Sequence, residues 1–230
     1  MLLLLHGALG DRRQLAPLAD RLAPHTAVET LDFEGHGERP PAERPFRIEH
    51  FAENVRAHLA ARGAERTAIF GYSMGGYVAL HLAATHPGLV SAVVTLGTKL
   101  AWSPAAAVRE VAQLDADAIA RRVPRFAEAL EGRHTGGGWR RVLGDTADLL
   151  RALGDRPPVT DETLAAVGCP ARLAVGDRDA TVTLEETRDA VRRLPRGELE
   201  VLPATPHPFE RVPLDRLAFS IRELLDRAAG

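Results

Sequence analysis

The sequence of 230 residues is poor in the side chains that carry redox and metal chemistry. Its one cysteine, Cys169, has no partner for an internal disulfide, and a lone cysteine most often behaves as a small buried hydrophobe. Neither an HExxH pattern nor a paired CxxC pattern is present, so the usual zinc-binding motifs are excluded. The scarcity of cysteine favours a reducing compartment. We therefore expect neither a metal nor a disulfide in this protein.

Long apolar runs and an excess of one charge are missing as well. The run Leu2–Leu5 is too short for the core of a signal peptide, and no run approaches transmembrane length. With 29 basic and 31 acidic residues, the net charge is −2, and both signs are spread along the chain. These features exclude a nucleic-acid-binding footprint and an electrostatic membrane anchor. We expect a cytoplasmic protein without nucleic-acid or membrane partners, whose oligomeric state the sequence leaves open.

Strands alternate with helices over most of the chain. Short apolar runs predict strands at Leu2–Leu5 and at residues 27–31, 67–70, 91–96, 171–175 and 199–202. Between the strands, apolar residues recur at helical spacing, as they do at Ile48, Phe51 and Val55. Six strands separated by helices predict an α/β fold with a parallel sheet covered on both faces.

The alternation stops after the fourth strand, and residues 100–167 contain no good strand. Ser103 followed by Pro104 is typical of a helix N-terminus, and apolar positions after Trp139 indicate a second helix. Insertions at the carboxyl ends of parallel strands surround the ligand crevice. We therefore predict a core formed by residues 1–99 and 168–230, with residues 100–167 as a helical cap.

The segment GYSMG at residues 71–75 lies between a predicted strand and a predicted helix. This is the context of a nucleophile elbow, in which a sharp turn projects the Ser73 hydroxyl above the sheet. The positions two before and two after the serine must be small, because the strand and the helix otherwise collide, and Gly71 and Gly75 meet that need. Taken alone, the pentapeptide fits equally well a glycine-rich turn that packs a helix closely.

Five segments in chain order resemble the α/β-hydrolase superfamily, and together they cover nearly the whole chain. They are the His-Gly loop LLLLHGALG, the loop DFEGHGERP, the elbow GYSMGG, the acid loop VGDRDATV and the histidine loop LPATPHPFE. The resemblance implies a parallel six-stranded sheet in the order 2-1-3-4-5-6. The sequence departs from the family in one respect: two strands usually precede the His-Gly loop, whereas here the sequence opens on that loop's strand, so we expect a trimmed sheet.

The resemblance implies a triad in the chain order serine, acid, histidine. Ser73 would be the nucleophile, and His207 would take its proton and later return it to the leaving group. Two carboxylates, Asp177 and Asp179, are available to hold the imidazole tautomer. The family pattern G-x-x-D selects Asp179.

An oxyanion hole is the next expected part of the site. The resemblance implies that the backbone N–H groups of Met74 and Ala8 bind the developing negative charge, with Leu9 as the alternative to Ala8. One such donor contributes about 3 kcal/mol to lowering the barrier.

Candidate substrate contacts follow the fourth strand and lie in the predicted cap. We expect Trp102 and Leu9 to line the acyl pocket, and Trp139 to contribute to it or simply to pack the cap against the core. Lys99, the only lysine, would either meet a substrate carboxylate or remain solvated.

These features predict a serine hydrolase that cleaves an ester, thioester or similar acyl bond of a small-molecule substrate. A cofactor-free lyase and a non-catalytic binding protein of the same fold stay open, because fold and triad do not separate them. A serine in the elbow argues against dehalogenases and epoxide hydrolases, which use aspartate. Neither a Walker motif nor a dinucleotide fingerprint is present, so we expect no cofactor.

Overall fold

The computed structural model describes residues 1–229, and six strands within them form one sheet. The strands are β1 (Leu2–Leu5), β2 (Val28–Leu31), β3 (Thr67–Tyr72), β4 (Val90–Leu96), β5 (Ala171–Gly176) and β6 (Gly197–Leu202). Their order is β2-β1-β3-β4-β5-β6, and every neighbouring pair is parallel. The predicted fold class and strand order are therefore confirmed.

Helices cover both faces of the sheet. They are α1 (Ala16–Leu22), α2 (Ile48–Ala61), α3 (Met74–Thr85), α4 (Pro104–Val111), α5 (Ala116–Arg122), α6 (Pro124–Arg133), α7 (Trp139–Asp155), α8 (Asp161–Ala165), α9 (Leu184–Val191) and α10 (Leu214–Ala229). Short 3-10 helices lie at Arg12–Leu15 and Phe209–Arg211. No helix within residues 1–229 is both long and apolar enough to cross a bilayer.

Strand β1 shows how the core is divided. All four of its leucines are fully buried. Leu3 and Leu5 join the apolar cluster under α2 and α3, whereas Leu2 and Leu4 join the cluster under α1 and α10. Because successive side chains of a strand point to opposite faces, a continuous leucine run is what a strand buried on both sides requires.

The register brings the ends of the central strands to one edge. Leu5 lies opposite Gly71, Tyr72 lies opposite Leu96, and Leu96 lies opposite Ala174. Strand β3 continues two residues beyond the predicted end at Phe70, because Gly71 and Tyr72 still pair with their neighbours. The loops after these strands therefore converge above the same edge.

Between β4 and β5 the chain is helical. Residues 97–170, all of them within the described part, contain α4 to α8 and no strand. The Ser103 side chain accepts a hydrogen bond from the Ala106 backbone amide and caps α4. Helix α7 contributes Val142 and Leu149 to the apolar cluster under α2 and α3, so the insertion is packed onto the sheet domain.

Candidate active site

Ser73 occupies a sharp turn between β3 and α3. Its φ of 51° and ψ of −115° are disfavoured for any residue with a side chain. Glycines make this turn possible. A Cβ on Gly71 would collide with the backbone of Gly75 and Gly76, and one on Gly75 would collide with the Leu5 carbonyl. The strain therefore persists because the strand and the helix pack backbone to backbone around the serine.

A histidine–carboxylate pair lies in the loops after β5 and β6. The distance from His207 Nδ1 to Asp179 Oδ2 is 2.7 Å. The second carboxylate oxygen of Asp179 accepts the amides of Thr181 and Val182 at 2.8 Å each. Burial by itself raises the pKa of this carboxyl, but the contact with His207 and the two amides outweighs it and holds the pKa below its ordinary value. The carboxylate therefore stays ionised and engages the His207 ring through Nδ1.

Asp177 plays a different part in the same turn. Its side chain is exposed, and its Oδ1 accepts the Thr205 amide at 3.2 Å. Its own amide donates to the Leu202 carbonyl at 3.0 Å. These bonds tie the acid loop to the histidine loop, and of the two candidate carboxylates the structure brings only Asp179 to the His207 imidazole.

Three residues that sequence reasoning did not select support this arrangement. The Tyr72 hydroxyl donates to the His207 carbonyl at 2.9 Å, and the Thr98 hydroxyl donates to the Ser73 carbonyl at 3.0 Å. Gly97 has a φ of 60°, and a Cβ there would lie 3.1 Å from Asp179 Oδ2. Of these three, only Gly97 could have been found from the sequence, because a glycine directly after a strand indicates a tight turn. The Tyr72 and Thr98 contacts join segments that are distant along the chain, so no local pattern predicts them.

The His-Gly loop lies beside the elbow. A Cβ on Gly7 would lie 3.0 Å from the Tyr72 ring and 3.3 Å from Ser73 Cβ. Ala8 and Leu9 line the same cavity as Ser73 and His207. Met74 is the first residue of α3, where backbone amides have no acceptor within the helix. The expected oxyanion donors thus lie around the serine.

The cavity above Ser73 has a volume of about 370 Å³, which suits a small ligand. Its apolar wall comes from the sheet domain and from α7, and includes Ile48, Met74, Tyr77, Leu149, Leu150 and Leu153. Thr146 interrupts this wall. It is fully buried, and among the described residues its hydroxyl has no hydrogen-bond partner. The same part of the chain holds no cluster of three side chains suited to a metal ion.

Lys99 and Trp102 also line the cavity, and they contact each other. The Trp102 indole donates to the Lys99 carbonyl at 3.0 Å. Lys99 Nζ donates to the Thr181 carbonyl at 3.1 Å and lies 3.7 Å and 3.8 Å from the carboxylates of Glu110 and Glu186. Because two carboxylates already compensate this ammonium, the expected pairing of Lys99 with a substrate carboxylate gains no support from the geometry.

Trp139 is not brought to the site. It lies at the start of α7, packs against the small cluster of Ile119, Leu130 and Leu143, and has the Arg140 guanidinium 4.9 Å from its ring. The cavity-facing residues of α7 begin about two turns further along, at Thr146. The substrate contact considered for Trp139 is therefore replaced by packing within the insertion.

Comparisons with known proteins place the chain in a family. The family described as the alpha/beta hydrolase fold matches residues 1–158. A pimeloyl-[acyl-carrier protein] methyl ester esterase of Chromobacterium violaceum is 30% identical over 224 residues, which cover 89% of this chain and 84% of that protein. The enzyme of the same name from Xanthomonas campestris pv. campestris is 34% identical over 200 residues, covering 86% of this chain and 73% of that one.

Solved structures show the same fold at lower identity. A thermophilic esterase from Thermogutta terrifontis superposes with a TM-score of 0.79 at 24% identity, covering 99% of this chain and 89% of that one. The enol-lactonase from Burkholderia xenovorans LB400 superposes with a TM-score of 0.80 at 20% identity, covering 98% and 90%.

Proposed function

The chain is a hydrolase of the α/β-hydrolase family, and from this premise we propose that it cleaves an acyl ester through a triad of Ser73, His207 and Asp179. The observation that carries the proposal is the 2.7 Å contact between His207 Nδ1 and Asp179 at the cavity that holds the strained Ser73. Its named relatives of 30% and 34% identity are esterases, which supports the reaction class.

In the proposed mechanism, His207 Nε2 takes the Ser73 proton while Ser73 Oγ bonds to the ester carbonyl carbon. The oxygen of the tetrahedral intermediate accepts hydrogen bonds from the amides of Met74 and Ala8. When the intermediate collapses, the carbon–oxygen bond to the alcohol breaks and His207 protonates the leaving alcohol. Water, deprotonated by His207, then releases the acid from the acyl-enzyme and restores Ser73.

The cavity wall favours a short to medium acyl chain. The leucines of α7 and the ring of Trp102 supply an apolar surface, and the Thr146 hydroxyl offers one hydrogen bond within it. By name, the two relatives act on the methyl ester of a pimeloyl group carried by a protein. We therefore propose methyl esters of dicarboxylic acids, free or carrier-linked, as the first substrates to compare with simple alkyl esters. In this proposal residues 100–167 act as a cap over the acyl pocket.

Covalent labelling tests the nucleophile. We expect a fluorophosphonate to add its mass to the peptide that contains Ser73, and a p-nitrophenyl ester to give a stoichiometric burst of p-nitrophenol. Ser73→Ala should lose the label and at least about 10⁴-fold of kcat. Ser103→Ala, which changes an exposed helix cap, is the matched control and should keep both.

Three outcomes would contradict the proposal. Undiminished labelling or turnover in Ser73→Ala would place the nucleophile elsewhere. Turnover of an ester without any acyl-enzyme, neither as a burst nor by mass, would favour the cofactor-free lyase chemistry that the same fold supports. Binding without turnover of any ester would favour a non-catalytic protein.

A further inference from the structure

Residues of the helical insertion hydrogen-bond to the backbone of the oxyanion loop, which comprises residues 7–10. The Leu9 carbonyl accepts a hydrogen bond from Arg133 Nη1 at 2.7 Å and lies 3.2 Å from His134 Nε2. Both residues stand where α6 ends, more than a hundred positions further along the chain. The segment assigned above to substrate enclosure therefore contacts the backbone that carries the expected oxyanion donors.

His134 links two loops at once. Its Nδ1 accepts the Gly37 amide at 3.1 Å, so the ring carries its hydrogen on Nε2 and donates it to the Leu9 carbonyl. This assignment requires a neutral imidazole. Burial, reinforced by the neighbouring His36, lowers the pKa of His134 to about 4, so the ring is neutral at physiological pH. Each ring nitrogen of His134 therefore makes a hydrogen bond to one of the two loops.

Two carboxylates orient the Arg133 guanidinium. Its guanidinium lies 3.7 Å from Asp11, which follows the oxyanion loop, and 3.5 Å from Glu210, which follows the catalytic histidine. The side chain is only 17% exposed and lines the cavity. One arginine of the insertion therefore connects the oxyanion loop to the loop that carries His207.

Because a peptide unit is planar, a hydrogen bond that fixes its carbonyl also fixes the direction of its N–H. The carbonyl and the N–H of one peptide unit point in opposite directions within a plane. His36 Nε2 lies 2.8 Å from the Ala8 carbonyl, which fixes the unit that carries the Leu9 N–H. His6 Nδ1 lies 2.8 Å from the Gly7 carbonyl, which fixes the unit that carries the Ala8 N–H. The contacts to the Leu9 carbonyl fix the next unit, whose Gly10 N–H donates to the Gly7 carbonyl at 3.0 Å, so they hold the far end of the oxyanion loop.

We propose that Arg133 and His134 are positioning residues for the oxyanion hole, through their hydrogen bonds to the Leu9 carbonyl. This inference rests on the proposed serine-hydrolase function, because it assumes that the amides of the oxyanion loop stabilise a tetrahedral intermediate. It adds that the insertion, besides enclosing the substrate, sets the rate of the chemical step.

A pair of matched esters separates positioning from general damage. An oxoester and the corresponding thionoester differ only in the atom that becomes negative, and sulfur accepts hydrogen bonds weakly, so the oxyanion amides contribute mainly to the oxoester. We expect Arg133→Met to lower kcat for the oxoester by about 10- to 100-fold with KM nearly unchanged. The thionoester should lose less than about threefold, so the oxo/thiono ratio falls by about tenfold.

Two further variants sharpen this test. Arg133→Lys keeps one charged donor and should recover most of the ratio. Arg140→Met is the matched control, since Arg140 belongs to the same insertion but pairs with exposed Asp117 at 2.8 Å, and it should leave the ratio unchanged. If Arg133→Met does not fold, as judged by its thermal transition, Arg133→Gln replaces it with the same expected direction.

An equal loss of kcat on both esters would overturn the inference and assign Arg133 a structural role only. An unchanged oxoester rate would overturn it as well. Neither result touches the triad, which fails only if Ser73→Ala retains turnover. The two proposals are therefore refuted by different variants.

Discussion

The sheet domain and the helical insertion, which is the helical segment between β4 and β5, are packed in different ways. In the sheet domain, β1 is fully buried on both faces, and the glycines around Ser73 let backbone touch backbone. The insertion has a small apolar cluster of its own, formed by Ile119, Leu130 and Leu143. Large apolar side chains are exposed in both parts, at Val108, Val123 and Phe126 in the insertion and at Leu184, Leu199 and Phe219 in the sheet domain.

This difference separates two tasks. The proposed chemical groups stand on loops fixed by crowded backbone, where a single added methyl group has no space. Much of the proposed acyl pocket comes from α7 and the start of the insertion, whose residues line the cavity. Substitutions in the first region should therefore cost activity or folding, whereas substitutions in the second should change which substrate is preferred.

The largest expected effect is a loss of kcat on substitution of Asp179, and Asp177 in the same acid loop is its control. Asp179→Asn should fold normally and lose about 10⁴-fold in kcat, because the amide favours the wrong imidazole tautomer. Asp177→Asn keeps an acceptor for the Thr205 amide and should lose less than about threefold. Steady-state kinetics on variants of matched thermal stability decide this, and the reverse ranking would transfer the acid role to Asp177.

A pair of glycines compares the two regions directly. A Cβ on Gly75 would lie 2.7 Å from the His6 carbonyl, so Gly75→Ala should cost about 3 kcal/mol of unfolding free energy. Gly144 is exposed on α7, and a Cβ there would meet nothing within 4 Å. Gly144→Ala should therefore stabilise the protein by about 0.5–1 kcal/mol. Urea unfolding measures both changes in unfolding free energy. If Gly75→Ala and Gly144→Ala changed it equally, the two regions would not differ in how closely their backbones pack.

Acidification should weaken the junction between the two regions. The pKa of His134, about 4 in the folded protein, lies below that of an unfolded histidine, so the unfolded chain binds a proton first as the pH falls. Stability from this group is complete above the unfolded pKa and is lost on acidification toward the folded one. Between about pH 7.5 and about pH 5 the loss should be about 2 kcal/mol.

Burial lowers the pKa of His6 and His36 in the same direction, so they add to this loss. Urea unfolding at both pH values measures the sum. His134→Asn should remove the His134 share of the pH dependence. An unchanged pH dependence in His134→Asn would mean that this ring titrates as it does in the unfolded chain.

The smallest effect is expected at the two tryptophans of the insertion. Trp102→Ala enlarges the cavity and should shift the preferred acyl chain length by about threefold to tenfold in kcat/KM. Trp139→Ala removes packing inside the insertion and should lower thermal stability without moving that preference. A series of esters of graded length checks both, and identical profiles for Trp102→Ala and the parent protein would contradict the lining role.

Much of the fold could be predicted from the sequence because its signals are local. The six strands lie within two residues of their predicted starts and ends, with the sheet order confirmed, because apolar runs and glycine or proline breaks act over a few residues. The elbow was predictable for the same reason, since the need for small residues at Gly71 and Gly75 arises within one turn. The choice of Asp179 over Asp177 came from the resemblance to the family, whose pattern is G-x-x-D, and the structure brings the same residue to His207.

What only the tertiary structure decided are the contacts between distant segments. Helical spacing did not reveal that Trp139 turns into a small cluster of the insertion, or that two glutamates compensate Lys99. Nor did any pattern connect Arg133 to the Leu9 carbonyl, 124 positions away. Such pairs depend on how the insertion docks onto the loops of the sheet. The sequence by itself determined which local turns and strands form, because those follow from steric limits on neighbouring residues, whereas the charge balance of the cavity and the support of its loops arose only when the folded chain brought remote side chains together.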